Sequence, residues 1–356
     1  MLYNTYKTEQ LIQYHTPQVY TFKKFIDINK IEWDYFCCNP NAVLYFEKYP
    51  EILKKLDKQR KICWSWLSAN PGAIPILEKN IDKIRWDLIS TNPEAIPLLE
   101  AHIDKIHWGR ICENVNGIPL LEKHYDIKNE TPYTSYSLLS IINDSLKFDF
   151  RIDPVIRKTI DWNRLSCNPS AIHILEKNMD KINWRMLSRN PNAVHILEKN
   201  QDKIDPIGIS NNPEAIPFLE LHPYLIDNYS FSKNPNSFPL MEKLIEKGVI
   251  QISDFDWNYI SDNDKAIPFL KKNPEKINWE ALSGNPNAIE MLQNQPNKIN
   301  WARLSINPNI FDYDYPFLRE HIQPYKEELI QKAYHPRRIS RMIELLGGEL
   351  DWDLMI

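Results

Sequence analysis

Glycine is scarce in this chain, with 8 residues among 356, and no phosphate-binding loop is visible around any of them. The motifs G-x-x-x-x-G-K-[ST] and G-x-G-x-x-G do not occur, and neither do H-E-x-x-H or G-x-S-x-G. The sequence therefore lacks the common signatures of nucleotide binding, zinc-dependent proteolysis and serine hydrolysis. We expect no cofactor, no metal site and no catalytic residue, and we interpret the chain as a non-enzyme.

Long apolar runs and an excess of positive charge are missing as well. No run approaches the ~20 apolar residues of a membrane span, and the first residues lack the apolar stretch of a secretory signal. The formal net charge of −4 argues against a nucleic-acid partner, because nucleic-acid binders present a basic face. We expect a soluble protein that is neither secreted nor bound to a membrane.

The cysteines are odd in number and show no zinc-binding spacing. Two of them, Cys37 and Cys112, stand where a related segment has Ser188, which predicts small packed side chains. This pattern is typical of free thiols in a reducing intracellular compartment. The five residues are Cys37, Cys38, Cys63, Cys112 and Cys167.

What the chain does contain is a unit of fixed length. Trp162 recurs as Trp184, and Asn178 recurs as Asn200, each 22 residues later. Such a period is the signature of stacked repeats. Nine of the 11 tryptophans share one slot of the unit, and we expect them to form the structural core between neighbouring units. They are Trp33, Trp64, Trp86, Trp108, Trp162, Trp184, Trp257, Trp279 and Trp301.

Each unit predicts two short helical segments. Trp184 and Leu187 share a helical face, and Asn183 before them suits an N-cap. Asn190 and Pro191 predict a second N-cap and first helical position. A second proline four residues later in many units predicts that N-P-x-A is a turn or 3₁₀ stretch before the α-helix proper.

The residue at the end of each second helix is predicted to adopt the left-handed conformation, because it is Asn or His and both are enriched at positive φ. The residues in this slot are Asn80, His102, His124, Asn178, Asn200 and His222.

Together these features predict an all-α fold, an elongated α-solenoid of short helical-hairpin repeats with about twelve units of 22 residues. One unit cannot bury enough apolar surface to fold alone, so neighbours must stack. We expect an N-terminal cap at 1–30, a repeat array at 31–310 and a C-terminal helical cap at 311–356, as one continuous domain. The stretch 124–160 matches the unit pattern poorly, and we interpret it as a degenerate unit or an insertion.

These residues resemble a family of tandem-repeat proteins found in large numbers in giant DNA viruses of the mimivirus-like and chlorella-virus-like groups. The family unit reads L-S-x-N-P-x-A-I-x-x-L-E-K-N-x-D-K-I-x-W. It is matched here by Leu187-Ser188, Asn190-Pro191, Ala193-Val194, Leu197-Glu198, Asp180-Lys181-Ile182 and Trp184, and a C-terminal H-P-x-R-I signature is matched by His335, Pro336, Arg338 and Ile339. The resemblance implies a viral origin, a location in the host cytoplasm or the virion, and a scaffold role, and it carries no catalytic residue.

Candidate binding residues lie two positions after the tryptophan slot. The third position after that slot faces the core, so we expect the second to point outward along an external ridge. Arginine, tyrosine, tryptophan and methionine are enriched at protein interfaces. The candidates are Trp66, Arg110, Arg164, Met186, Tyr259 and Arg303.

The predicted function is therefore a non-catalytic scaffold that binds a host or viral protein partner. One alternative is a structural component of the virion, and a weaker one is an enzyme or metal-binding protein that uses the 124–160 insertion.

Two H-x-x-E pairs, His173/Glu176 and His195/Glu198, could line a shared face, although other units place proline in the histidine slot. The Lys/Arg-rich extension at 50–61 is interpreted as a solvated helix face or a binding patch.

Overall fold

The computed structural model describes residues 20–124, 160–322 and His335. These residues form short α-helices and 3₁₀ helices that pack in neighbouring pairs, with one two-stranded sheet, so the all-α class is confirmed. The chain divides into two compact bodies, one spanning Lys23–Ile310 and the other containing residues 20–22 and 311–322 among those described. The sequence-based calls on residues 1–19, on 125–159 and on 323–356 apart from His335 lie outside the described residues.

Eleven units of the larger body begin with a helix at the tryptophan slot, and we number them 1 to 11 in chain order. These first helices are Trp33–Phe36, Trp64–Ala69, Trp86–Ile89, Trp108–Ile111, Trp162–Cys167, Trp184–Leu187, Pro206–Ser210, Asn228–Lys233, Trp257–Asp262, Trp279–Gly284 and Trp301–Ile306. The second helices of units 1 to 10 are Ala42–Lys48, Ile74–Glu78, Ile96–Ala101, Ile118–His124, Ile172–Leu175, Val194–Glu198, Ile216–Leu221, Phe238–Glu246, Ile267–Lys272 and Ile289–Gln293.

The predicted helix starts are confirmed. In unit 6 the Asn183 side chain caps the first helix by accepting from the amide N–H of Met186 at 3.1 Å. Asn190 caps a separate 3₁₀ turn, Pro191–Ala193, and the α-helix begins after it at Val194. Equivalent 3₁₀ turns are Pro71–Ala73, Pro93–Ala95, Pro169–Ala171, Pro213–Ala215, Asp264–Ala266, Pro286–Ala288 and Pro308–Ile310.

The predicted left-handed ends of the second helices are wrong. Asn80 and His102 have φ of −139° and −135°, and among the described non-glycine residues only Arg60 has a positive φ. The Asn80 side-chain amide instead donates to the carbonyl of Ile76 at 2.8 Å, which satisfies a carbonyl at the helix end. A second set of 3₁₀ turns follows this slot: Ile28–Lys30 before unit 1, then Ile81–Lys83, Ile103–Lys105, Met179–Lys181, Gln201–Lys203, Pro223–Leu225, Ile252–Asp254, Pro274–Lys276 and Pro296–Lys298.

Buried asparagines join each unit to the one before it. The side-chain amide of Asn190 donates to the carbonyls of Ser166 at 3.0 Å and Asn168 at 2.9 Å. Its side-chain oxygen accepts from the amide of Asn192, so one buried side chain satisfies three backbone groups. Ten asparagines each donate two such bonds, and Asn263 donates one. The ten are Asn39, Asn70, Asn92, Asn114, Asn168, Asn190, Asn212, Asn234, Asn285 and Asn307.

This asparagine ladder also joins unit 1 to unit 11. Asn39 donates to the carbonyls of Ser305 at 3.1 Å and Asn307 at 2.7 Å. Three further contacts that link ordinary neighbours recur at this junction. The amide of Glu32 donates to the Ser305 hydroxyl at 3.0 Å, as Asp205 does to Ser188, and Lys30 lies 5.2 Å from the ring centre of Trp301. Asn41 donates to Pro308, as Asn192 does to Pro169.

The order of contacts within the larger body therefore closes into a cycle, which differs from the expected elongated array with two ends. Eleven units lie within the described residues, and the predicted degenerate unit at 124–160 falls almost entirely outside them. Unit 5 bonds directly to unit 4, because Asn168 donates to the carbonyls of Cys112 and Asn114. The ladder is thus continuous from unit 4 to unit 5.

The tryptophan slot is less buried than expected. Trp108 and Trp162 are buried, whereas the other seven tryptophans are half-buried. Several lie beneath a lysine of the next unit, such as Trp184 with Lys203 Nζ 4.4 Å from its ring centre. The most buried positions are instead the leucine three residues later, the following serine, the ladder asparagine and the alanine of N-P-x-A, for example Leu187, Ser188, Asn190 and Ala193 in unit 6.

Two segments lie outside this unit pattern. The 50–61 extension forms a helix, Pro50–Lys58, whose Asp57 accepts from the indole N–H of Trp64 at 2.7 Å and pairs with Lys83. In the smaller body, β1 (Tyr20–Phe22) pairs antiparallel with β2 (Phe311–Tyr313), and a helix follows at Tyr315–Ile322.

Candidate interaction surface

The six predicted binding residues share one slot, which we call the +2 slot because it lies two residues after the tryptophan slot. Trp66 is exposed, at 36%, whereas Arg110, Arg164, Met186, Tyr259 and Arg303 are half-buried. The +2 slot is therefore a partly covered seam between units and not a free external ridge. Gly208, Ser230 and Ala281 occupy it as fully buried small residues.

The residue three positions further along the chain, which we call the +5 slot, completes this seam and lies either in the first helix, as Lys233 does, or in the turn directly after it, as Arg189 does. Sequence reasoning missed it, although an i, i+3 relation to the +2 slot places both on one helical face. The row is chemically diverse and carries both signs of charge. Its members are Cys38, Ala69, Thr91, Glu113, Cys167, Arg189, Asn211, Lys233, Asp262, Gly284 and Ile306.

The +5 side chain of one unit meets the +2 side chain of the next. Glu113 of unit 4 pairs with Arg164 of unit 5, and Arg164 also bonds to Asp161 at 3.0 Å. Arg303 of unit 11 passes Gly284 of unit 10, within 3.9 Å of where a Cβ would stand, and pairs with Asp262 of unit 9 at 3.3 Å.

Aromatic contacts follow the same seam at two junctions with longer connecting segments. Between units 1 and 2, the rings of Tyr35 and Trp66 lie 5.2 Å apart. Between units 8 and 9, the hydroxyls of Tyr229 and Tyr259 are 2.9 Å apart, and Lys233 Nζ lies 4.2 Å and 4.1 Å from the two ring centres. The structure therefore brings some predicted residues into contact with neighbours of the seam, but the six do not meet at one point.

The side chains of Lys233 and Tyr259, at the junction of units 8 and 9, have shifted pKa values. The hydrogen bond with Tyr229 and the nearby ammonium of Lys233 lower the pKa of the Tyr259 hydroxyl. Desolvation lowers the pKa of Lys233, but hydrogen bonds with Tyr259 and Tyr229 outweigh it, so this pKa is raised. Both effects favour an ammonium beside polarised hydroxyls.

A groove of about 580 Å³ opens at this junction. Here the asparagine ladder is weakest, because Asn263 donates one bond of 3.4 Å to Asn234 and is only half-buried. The two units are also further apart in sequence than the usual 22 residues, which gives their junction a different connection. The groove is lined by Asn211, Lys233, Pro235, Tyr259, Asp262, Asn263, Asp264 and Pro286.

The H-x-x-E pairs bind across units instead of forming a shared cluster. His173 contacts Glu122 at 2.8 Å, and His195 contacts Glu176 at 3.1 Å, with all four side chains about half exposed. Residues 20–124 and 160–322 contain no group of three or more His, Cys, Asp and Glu side chains arranged to hold a metal ion. The five cysteines are free thiols.

Arg110 and Met186 contribute least to the visible contacts. Within the described part of the chain, the Arg110 guanidinium has no ion pair or hydrogen bond, although its backbone amide donates to the ring of His107 at 3.3 Å. The Met186 amide is likewise used in capping by Asn183. Their binding role stays a prediction.

Comparison with protein-family models, with curated protein sequences and with solved structures gives no match in any of the three. None of the helices in the described ranges is both long enough and apolar enough to span a bilayer.

Proposed function

We propose that this chain is a non-catalytic scaffold that binds a protein partner along the seam formed by the +2 and +5 slots. In this proposal the frame is a closed α-solenoid, in which unit 11 stacks on unit 1 as on any other neighbour. The scaffold class and the viral origin are supported by the repeat motif of the sequence, and the family resemblance supplies no partner.

The observation that carries the proposal is a contrast between two sets of positions. Ladder slots keep one residue type and one hydrogen-bond pattern from unit to unit, as Asn190 and Asn212 illustrate. Seam slots keep the same backbone geometry but change from arginine to tyrosine, methionine or tryptophan. A constant frame that presents variable, partly exposed side chains is how repeat proteins build extended binding surfaces.

The test is affinity capture with the full chain as bait. The seam variant carries Arg110→Ala, Arg164→Ala and Tyr259→Ala. The matched control carries Lys177→Ala, Lys199→Ala and Glu290→Ala at exposed positions in or directly after second helices. We expect the seam variant to lose partners that wild type and control retain. Equal recovery by all three baits would count against the seam as the binding surface.

A further inference from the structure

Units 5 to 8 carry only positive charge in their seam slots. Their cations are Arg164, Arg189 and Lys233, and no aspartate or glutamate occupies a seam slot of these four units. The other five positions are neutral: Cys167, Met186, Gly208, Asn211 and Ser230. This local excess runs against the net charge of −4 for the whole chain.

Two of the three cations have no carboxylate partner within the described residues. Arg164 pairs with Glu113 and Asp161, whereas Arg189 and Lys233 have no ion pair. In the same ranges the Arg189 guanidinium makes no hydrogen bond, and its Nε is buried without a partner. A buried N–H that lacks an acceptor is unfavourable, and a bound acceptor would relieve it.

The unit geometry explains why Arg189 is unpaired. At other junctions the +5 side chain meets the +2 side chain of the next unit, and in unit 7 that slot holds Gly208, which has no side chain to offer. A Cβ at Gly208 would lie 2.7 Å from Ser188 Cβ and 2.8 Å from the Arg185 carbonyl oxygen, so the helices approach too closely for a larger residue. The carboxylate of Asp205, whose Oδ2 lies 3.2 Å from the same Cβ position, accepts from the amide of Gly208. The Arg189 guanidinium is therefore left without a bonded acceptor among the described residues.

Lys233 is the second unpaired cation, and it borders the groove between units 8 and 9. Its neighbours there include the hydroxyl of Tyr259 and the amides of Asn211 and Asn263, which can donate to an oxygen anion. Two aspartates also line the groove, and one of them, Asp262, pairs with Arg303, while Asp264 begins the next 3₁₀ turn. The third cation of this seam, Arg164, already forms an ion pair with a carboxylate, that of Glu113 in unit 4. A carboxylate of the partner would bind the other two cations in the same way.

We infer that the seam of units 5 to 8 binds an acidic segment of the partner protein, with one carboxylate at Arg189 and another at Lys233. This inference rests on the proposed scaffold function. Packed helices lie about 8–10 Å apart, so two steps along the array span roughly 16–20 Å. An extended peptide covers that distance with about five or six residues. A nucleic acid fits less well, because phosphates at every nucleotide call for a denser row of cations.

The experiment starts with selection of a displayed random-peptide library on the full chain. We expect selected peptides to be enriched in aspartate or glutamate at two positions about five or six residues apart. A labelled peptide from this set is then titrated against wild type and against Arg189→Gln/Lys233→Gln. The double variant should bind about tenfold more weakly or worse, because it removes two charge-assisted contacts. Arg189→Lys should retain most of the affinity.

The control Lys177→Gln/Lys199→Gln removes the same charge from exposed positions directly after second helices and should bind within about twofold of wild type. Circular dichroism and melting temperature establish that each variant is folded. Selected peptides without acidic enrichment, equal loss in the control, or tighter binding of a thymidine oligonucleotide would overturn the inference. If neutral peptides are selected instead and bind more weakly to the variant Arg110→Ala/Arg164→Ala/Tyr259→Ala, the inference of an acidic segment is wrong and the scaffold function still holds. No peptide binding at all, combined with unchanged capture by the seam variant, would remove both.

Discussion

The side-chain amide of Asn39 donates to the carbonyl oxygen of Asn307 at 2.7 Å, across 268 positions of sequence. Elsewhere the same bond joins neighbours that are 22 residues apart, such as Asn190 and Asn168. Units 1 and 11 are thus bonded as ordinary neighbours, and the larger body has no free end in its ladder.

The first prediction compares Asn39→Ala with Asn190→Ala. Each substitution removes two hydrogen bonds and leaves buried carbonyls unsatisfied, and each also removes the side-chain cap on the turn that follows. We expect both to lower the free energy of unfolding by about 2–5 kcal/mol, measured by urea denaturation. Asn263→Ala should cost less, because Asn263 donates a single long bond and is half-buried.

The comparison separates a closed ladder from an open one. In an open array Asn39 would have no unit to bond, so Asn39→Ala would cost only the cap on Asn41, about 1 kcal/mol, while Asn190→Ala kept its full cost. That result would contradict the closure.

The second prediction concerns the distance between units 1 and 11. Spin labels at Asp34 and Ala302 should give a distance similar to labels at Ser65 and Asp87, which occupy equivalent slots of units 2 and 3. An open array of units stacked about 8–10 Å apart would separate its ends by roughly 80–100 Å. Electron double resonance distinguishes these values. The labels are best introduced as unnatural amino acids, because the chain has 5 native cysteines. A long or very broad distance for the first pair alone would exclude closure.

Much of the local structure could be predicted because it depends on residues close in sequence. The caps at Asn183 and Asn190 and the 3₁₀ turn before Val194 follow from side-chain chemistry within one unit. The helix end was predicted wrongly at Asn80, where an amide bond to the Ile76 carbonyl replaces a left-handed turn. Both conformations satisfy helix-end carbonyls, and the residue type alone does not choose between them.

Closure could not be derived from any single unit, because it depends on small rotations that accumulate over the whole array. One signal was nevertheless present. Unit 1 carries Lys30, Asn39 and Asn41, the same interface residues as an internal unit, where an end unit would need a polar cap. Of the two slots that form the seam, only one was predicted from the sequence. The +2 slot was recognised by residue type, whereas the +5 slot, with residues as different as Cys167 and Lys233, has no common composition.

The third prediction concerns Cys37, which occupies a buried serine slot and donates to the carbonyl of Trp33 at 3.2 Å. Burial raises the pKa of this thiol to about 12 from its ordinary value of 9.0. Between these values the unfolded chain binds fewer protons than the folded one, so the stabilising contribution of Cys37 is complete below about pH 9 and is lost as the pH rises toward 12.

The measurement is urea unfolding of wild type and Cys37→Ser between pH 8 and pH 10.5. Serine fits this slot, because Ser188 makes the equivalent bond to Trp184 at 2.8 Å. Other titrating groups are shared by the two proteins and cancel in the difference. We expect wild type to lose about 1.4 kcal/mol relative to Cys37→Ser for each pH unit above the pKa of the unfolded thiol. Parallel pH profiles would show that the thiol is not shielded as the structure indicates.

The last prediction contrasts two glycines on first helices. Alanine is the better helix former by about 1 kcal/mol, so Gly→Ala is stabilising wherever there is room. At Gly208 a Cβ would stand 2.7 Å from Ser188 Cβ and 2.8 Å from the backbone oxygen of Arg185. Neither atom can move without displacing a helix, so Gly208→Ala should lower the free energy of unfolding by about 1–3 kcal/mol.

At Gly284 the nearest atom to a new Cβ is Asp262 Oδ1 at 3.0 Å, the mobile end of an exposed side chain. Gly284→Ala should therefore be neutral or stabilising by up to about 1 kcal/mol in the same urea titration. Because both substitutions add one methyl group to a first helix, their difference reports the helix separation at the junction of units 6 and 7. Equal effects of the two would mean that these helices lie further apart than the structure has them, and Arg189 would then have room to find a partner inside the chain.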